Sequence, residues 1–287
     1  MAGMELVKKL REASGAGILA CQKALKEAND DFDKAFEILR KQGVAKASSK
    51  ADREANEGLV CYAENGNSYV IIKLSCETDF VAKNENFQKL LEKITNTALS
   101  NKAKTNDDLL NCNVDGKTIK DLITEGIASI GENLVLSGVF YRELASNQTA
   151  VFYVHNKAEG QEKMGRIITT TIAEGANGDD AKTLLKNIDM HITAMSPLGL
   201  NEESVDADVV AKEKAIYEEQ VAELNKPENI AQKMIEGKLR KFFEECVLLN
   251  QMFVLDNKNS VKNVIENFNK EHKAELKLIS FDRVSIQ

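Results

Sequence analysis

The feature that most constrains the fold is a change of pattern at Cys76-Glu77-Thr78-Asp79-Phe80-Val81-Ala82-Lys83-Asn84. Before it, Val70, Ile72, Leu74 and Cys76 alternate with Ile71, Lys73 and Ser75, the two-residue period of a strand with one strongly buried face. After it, Phe87, Leu90, Leu91, Ile94 and Ala98 recur at helical spacing. Thr78 to Val81 therefore occupies a strand-to-helix turn, where side chains project from a rigid base. On local chemistry alone, Thr78 or Asp79 is an N-cap accepting from free amides of the next helix, and Phe80 is an anchor folded into the core.

The neighbouring segments extend this into an α+β architecture. Leu59 to Tyr62 and Tyr69 to Cys76 flank Asn65-Gly66, the strongest short-range signal for a β-hairpin. A helix from Thr118 to about Ile130 and a strand from Leu134 to Tyr141 follow. Lys117-Thr118-Ile119-Lys120-Asp121-Leu122-Ile123 then matches Asn259-Ser260-Val261-Lys262-Asn263-Val264-Ile265, and the same offset sets Leu134 and Leu136 on Leu276 and Leu278. A second hairpin, Ala150 to His155 and Gly165 to Ala173, precedes the second copy. The pattern predicts a duplicated core of two small antiparallel sheets with helices on one face.

Two further segments stand outside the repeat. The first 43 residues read as three short helices: Leu6, Val7 and Leu10 line the first, and Ile18, Cys21, Leu25 and Ala28 the second. Phe32, Ala35, Phe36 and Leu39 line the third, with Asp30 or Asp31 as its cap, Gly43 as its stop and a polar linker over 44–57. Between the second hairpin and the second helix–strand unit, Lys182 to Met195 is an amphipathic helix ended by Pro197. Two charged helices then follow, striped by Val210, Tyr217, Val221 and Leu224 and by Ile235, Leu239, Phe242 and Cys246, around a turn at Asn225 to Glu228. Narrow stripes on charged helices predict an antiparallel coiled-coil hairpin.

Composition removes several function classes. A formal net charge of −7 argues against broad binding to phosphate backbones, which needs clustered Lys and Arg. The five cysteines are scattered and odd in number, without a Cys-x-x-Cys pair, so neither a disulfide framework nor a zinc site is expected. No segment reaches the roughly 18 apolar residues of a spanning helix, and Met1 to Leu10 has no long apolar run. The expectation is a soluble cytoplasmic protein that binds neither nucleic acid nor membrane and holds no metal or cofactor.

Catalytic constellations are weak. Gly116-Lys117-Thr118 is the tail of a phosphate-binding loop, but Asn111 stands where the first glycine is needed. It reads better as the start of a helix. His155, His191 and His272 lie far apart, and nothing in the sequence joins Cys76, Asp79 and His155 into a nucleophile arrangement. His191 reads as structural and His155 as a half-exposed histidine where a strand ends.

Thr78-Asp79-Phe80-Val81-Ala82-Lys83, at this distance from the N-terminus, resembles the signature of the elongation factor Ts family. Arg11 to Gly17 followed by Cys21-Gln22-Lys23-Ala24-Leu25 is similar to that family's opening. The resemblance covers nearly the whole chain. It implies a nucleotide exchange factor for the GTPase elongation factor Tu, a partner-binding protein and not an enzyme. It implies that Asp79 and Phe80, with Thr78 and Val81, are pushed into the GTPase beside its magnesium site. Further contacts would come from Arg11, from Ile18 and Leu19 after the Gly-Ala-Gly, and from His155 in Tyr153-Val154-His155. Ile18 fits the buried stripe, so Leu19 is the better contact of that pair.

The same resemblance implies a domain plan: an N-terminal ubiquitin-associated-like module and linker over 1–54, core halves over 55–141 and over 142–200 with 247–287, and the hairpin over 201–246. The hairpin is also a candidate surface for self-association. Some members continue past the last strand into a C-terminal helix that grips the GTPase; this chain stops at Gln287, so that contact is expected to be missing.

Overall fold

The computed structural model describes residues 2–176 and 178–286. It divides into two compact units, one built from Met1–Glu143, Val154–Ile168 and Val284–Gln287, the other from Leu144–Tyr153 and Thr169–Arg283.

The first unit opens with α1 (Ala2–Ser14), α2 (Ile18–Glu27) and α3 (Phe32–Ser48), followed by the hairpin β1 (Glu57–Glu64) and β2 (Ser68–Cys76). Then come α4 (Asp79–Ala82), α5 (Glu85–Asn101), α6 (Asn106–Leu110), the short pair β3 (Asn113–Val114) and β4 (Lys117–Thr118), α7 (Ile119–Ile130) and β5 (Leu134–Glu143). β2 lies between β1 and β5, antiparallel to both. Val70, Ile72, Leu74 and Cys76 point into a core with Phe87, Leu91 and Ile94 of α5 and Ile119, Ile123 and Ile127 of α7. The expectation of one buried face on β2 is corrected, because Tyr69 and Ile71 on its opposite face are fully buried as well. A strand hydrogen-bonded on both edges and covered on both faces is a stiff platform for whatever follows it.

The N-terminal helices close over Leu10, Cys21, Ala24, Leu25, Ala35 and Leu39. Asp31 caps α3 by accepting from the Lys34 amide at 3.1 Å. Gly43 is not its stop. The helix runs on to Ser48, into the segment expected to be linker, and Gly43 is buried within it. A Cβ there would lie 3.4 Å from Cβ of Ala128 on α7, so the missing side chain lets two helices approach closely. Arg40 pairs with Asp121 at 3.2 Å, and the Lys117 ammonium sits 5.5 Å from the centre of the Phe36 ring. We expect Gly43→Ala to be tolerated and to stabilise by up to about 1 kcal/mol through helix propensity, whereas Gly43→Leu should lower the melting temperature by forcing α3 away from α7. Thermal unfolding of both variants checks this.

The phosphate-loop fragment is a helix start. Thr118 caps α7 in a capping box with Asp121, and Lys117 is paired with Glu125 at 2.7 Å.

The second unit takes its strands from β6 (Gln148–Lys157), β7 (Met164–Glu174) and β8 (Lys277–Ser285), with β7 paired to both others. Its principal helices are α8 (Gly178–Met195) and α11 (Val261–His272). The internal repeat holds in its details: Ser260 caps α11 as Thr118 caps α7, and Leu276 and Leu278 are buried as Leu134 and Leu136 are. One feature differs. Met164 and Gly165 of β7 pair with β1, while its later residues belong to the second unit, so the two expected sheets have a strand in common. β7 spans 11 residues, which is long enough to supply both.

The second core carries polar groups among its apolar ones. His191 is fully buried; its Nε2 pairs with Oε1 of Gln251 at 2.9 Å, and its Nδ1 accepts from the Val254 amide at 3.2 Å. That fixes the tautomer and makes His191 structural, as its sequence context implied. Asp189, two residues earlier on α8, is fully buried, and neither of its carboxylate oxygens has a hydrogen-bond partner among the described residues.

Between α8 and α11 the chain runs out through α9 (Ala207–Ala222) and returns through α10 (Glu228–Cys246). The hairpin root is a small cluster of Val205, Cys246 and Val247 with Val210, Phe242 and Phe243 against it. Farther out Val221 is buried, but Leu224, expected on the inner stripe, is about half exposed beside the turn. None of the buried residues of the second core comes from the hairpin. We therefore expect that replacing its outer half with a short turn leaves a cooperatively folded protein; loss of the near-ultraviolet circular dichroism signal in that variant would count against this.

Candidate functional site

β2 ends at Cys76, and the chain turns at once into the four residues of α4. A single turn of helix has too few internal hydrogen bonds to hold itself, so its geometry is imposed from outside. Thr78 is in extended conformation and is the N-cap: its Oγ1 accepts from the Val81 amide at 3.4 Å. The same hydroxyl donates to Oε1 of Glu132 at 2.7 Å, and the Thr78 amide donates to Oε2 of that carboxylate at 3.0 Å. Behind it, the buried Cys76 thiol donates to the Thr78 carbonyl at 3.1 Å, and its pKa is pushed up to about 12, chiefly by burial. A thiol so placed is no nucleophile.

Val81 and Ala82 root the turn in the core, where Gln88 donates to the Ala82 carbonyl at 3.3 Å. Phe80 points the other way. It is 79% exposed, so the expectation of a core anchor is overturned. With the inward positions of so short a turn taken by Val81 and Ala82, Phe80 falls on the outer side. Lys83 completes the outer surface: its ammonium donates to Asp79 at 2.7 Å and stands 6.0 Å from the centre of the Phe80 ring. That hydrogen bond is the main reason the Asp79 carboxyl titrates below its ordinary range, so the turn presents an anionic group beside a bare aromatic ring.

Thr78, Asp79, Phe80 and Val81 thus form one turn. The remaining candidates lie on other elements of the same unit. Arg11 is exposed on α1. Leu19, in the first turn of α2, is 81% exposed. Ile18 does not join the buried stripe; it is 49% exposed, because the buried face of α2 begins only at Cys21. His155 sits half-buried inside β6, which continues to Lys157, and not where the strand ends.

Two partners of the turn, Lys83 and Glu132, were missed in the sequence. Asp79 and Lys83 are four apart, so their pairing was readable from helical spacing. Glu132 is 54 positions from Thr78 and gave no local signal.

The family model described as elongation factor TS matches residues 77–287. The chain belongs to the elongation factor Ts family. Curated members agree over almost their full length. The elongation factor Ts of Brucella anthropi is 40% identical over 282 residues, 98% of this chain and 91% of that one. That of Orientia tsutsugamushi is 40% identical over 280 residues, 97% and 89% of the two chains, and that of Nitratiruptor sp. is 40% identical over 286 residues, 98% and 91%. Membership makes this chain a translation elongation factor of the class that exchanges nucleotide on elongation factor Tu. Among the described residues, no helix is long and apolar enough to cross a membrane.

Proposed function

We propose that this chain releases GDP from elongation factor Tu by driving the Asp79–Phe80 turn against the GTPase's magnesium site. The observation that carries the reading is the exposure of Phe80 on a turn whose root, Val81 and Ala82, is buried. A large exposed aromatic on a rigid base has about 1.5–3 kcal/mol of transfer free energy to spend when a partner buries it. GDP is held partly through a magnesium ion that bridges protein and phosphate oxygens. A ring packed between GTPase helices in a geometry that excludes the ion converts that transfer energy into weaker nucleotide binding.

Thr78 and Val81 serve as cap and root of the wedge. Arg11, Ile18, Leu19 and His155 supply further contacts, with the exposed Leu19 as an apolar anchor. The hairpin of α9 and α10 remains a proposed surface for self-association. No bond is made or broken in the exchange, so the chain acts as a binding partner and not as an enzyme.

Coupling of this kind is reciprocal: the factor by which the chain weakens GDP is the factor by which GDP weakens the chain. The expected result is that saturating GDP with millimolar magnesium loosens the complex measurably relative to nucleotide-free elongation factor Tu. Titration calorimetry under both conditions is the test, and an affinity insensitive to GDP would overturn the reading.

A further inference from the structure

The loop between α7 and β5, Gly131-Glu132-Asn133, is bound along its whole length to two other segments. The Gly131 carbonyl accepts from Lys50 just past α3. Glu132 takes both donors of Thr78, at 2.7 and 3.0 Å. The Asn133 amide donates to Glu77 at 2.7 Å, and its side chain donates to the Arg53 carbonyl at 2.8 Å. Asn133 is buried, and Arg53 pairs with Glu77 at 3.4 Å.

From this geometry we propose that Glu132 is a positioning residue for exchange, aiming Phe80 through the Thr78 cap. The inference rests on the wedge reading of Thr78–Val81. The physical chain has three links. The Glu132 carboxylate fixes the Thr78 amide and orients its hydroxyl, because a charge-assisted hydrogen bond to one oxygen lone pair direction commits the O–H. The hydroxyl so oriented has its remaining lone pairs free for the Val81 amide, and hydrogen bonds in series strengthen one another. The capped Val81 amide closes the turn on which Phe80 stands. Without the carboxylate, the Thr78 hydroxyl and amide lose their side-chain acceptor, and the cap of this four-residue helix keeps only the Cys76 thiol on the Thr78 carbonyl and the buried root of Val81 and Ala82. Glutamine at 132 keeps the length but sets an NH2 against either the Thr78 amide or its hydroxyl, which replaces one acceptor with a donor.

The test measures labelled-GDP release from elongation factor Tu with Glu132→Gln, Thr78→Val, the double variant and Phe80→Ala, each over a range of factor concentrations. Glu132→Gln should lower the maximal release rate roughly tenfold or more, as misplacement of a working group does, with little change in the concentration giving half-maximal rate. Because Glu132 acts through Thr78, the double variant should be no slower than the worse single one. Full additivity, or a Glu132→Gln variant that melts at lower temperature yet exchanges normally, would overturn the proposal. Phe80→Ala separates the two levels: if it exchanges normally the wedge reading itself fails, whereas a slow Phe80→Ala beside a normal Glu132→Gln removes the positioning role alone.

Discussion

Phe80→Ala should leave the fold almost untouched and cripple exchange. A 79% exposed ring leaves no cavity when truncated, so unfolding free energy should change by less than about 1 kcal/mol, as at other surface positions. A buried anchor would have cost about 3–5 kcal/mol. The loss should appear in GDP release, where an aromatic hot spot is worth about 2 kcal/mol or more, roughly thirtyfold in rate. Magnesium sharpens the result. With chelator present, GDP is already loosened, and a wedge that acts by dislodging the ion has less left to do. The defect should therefore be large at millimolar magnesium and shrink when magnesium is removed. Equal defects in both conditions would reduce Phe80 to a docking residue.

The second large effect concerns the other unit. Asp189 is fully buried, neither carboxylate oxygen has a hydrogen-bond partner among the described residues, and burial holds its pKa well above the carboxylate range. Its surroundings include the Thr171 hydroxyl, itself unpartnered among the described residues, and Thr193, which donates to the Asp189 carbonyl at 2.9 Å. The folded protein keeps this proton to higher pH than the unfolded chain does. Above the unfolded value of about 3.9, unfolding therefore releases a proton, and stability falls as pH rises by about 1.4 kcal/mol per unit until the folded pKa is passed. Asp189→Asn has nearly the same shape and no proton to lose. Urea unfolding at several pH values should show the variant gaining on the parent with that slope; parallel curves would mean that Asp189 is charged in the folded state.

Much of this architecture is legible in the sequence. The change of period at Cys76, the Asn65-Gly66 turn and the repeated helix–strand unit are local or periodic signals, and each is where the pattern put it. The cap was readable as Thr78 or Asp79, because strand-to-helix turns need an acceptor for their first amides, and it is Thr78.

What escaped depends on contacts between distant segments. Local chemistry alone made Phe80 an anchor, whereas the family resemblance set it outward; the shortness of α4, with Val81 and Ala82 taking the inward positions, leaves it exposed. Gly43 looks like a helix stop until Ala128, 85 positions later, is seen against it. The carboxylate of Glu132 and the sharing of β7 are likewise invisible to a window of neighbouring residues.

The most direct measurement of the central claim is the rate at which labelled GDP leaves purified elongation factor Tu as this chain is added at millimolar magnesium. The release rate should rise with the concentration of the chain, saturate, and lose most of that increase when Phe80→Ala is used instead. A release rate that does not respond to the chain, or responds equally to the Phe80→Ala variant, would contradict the claim.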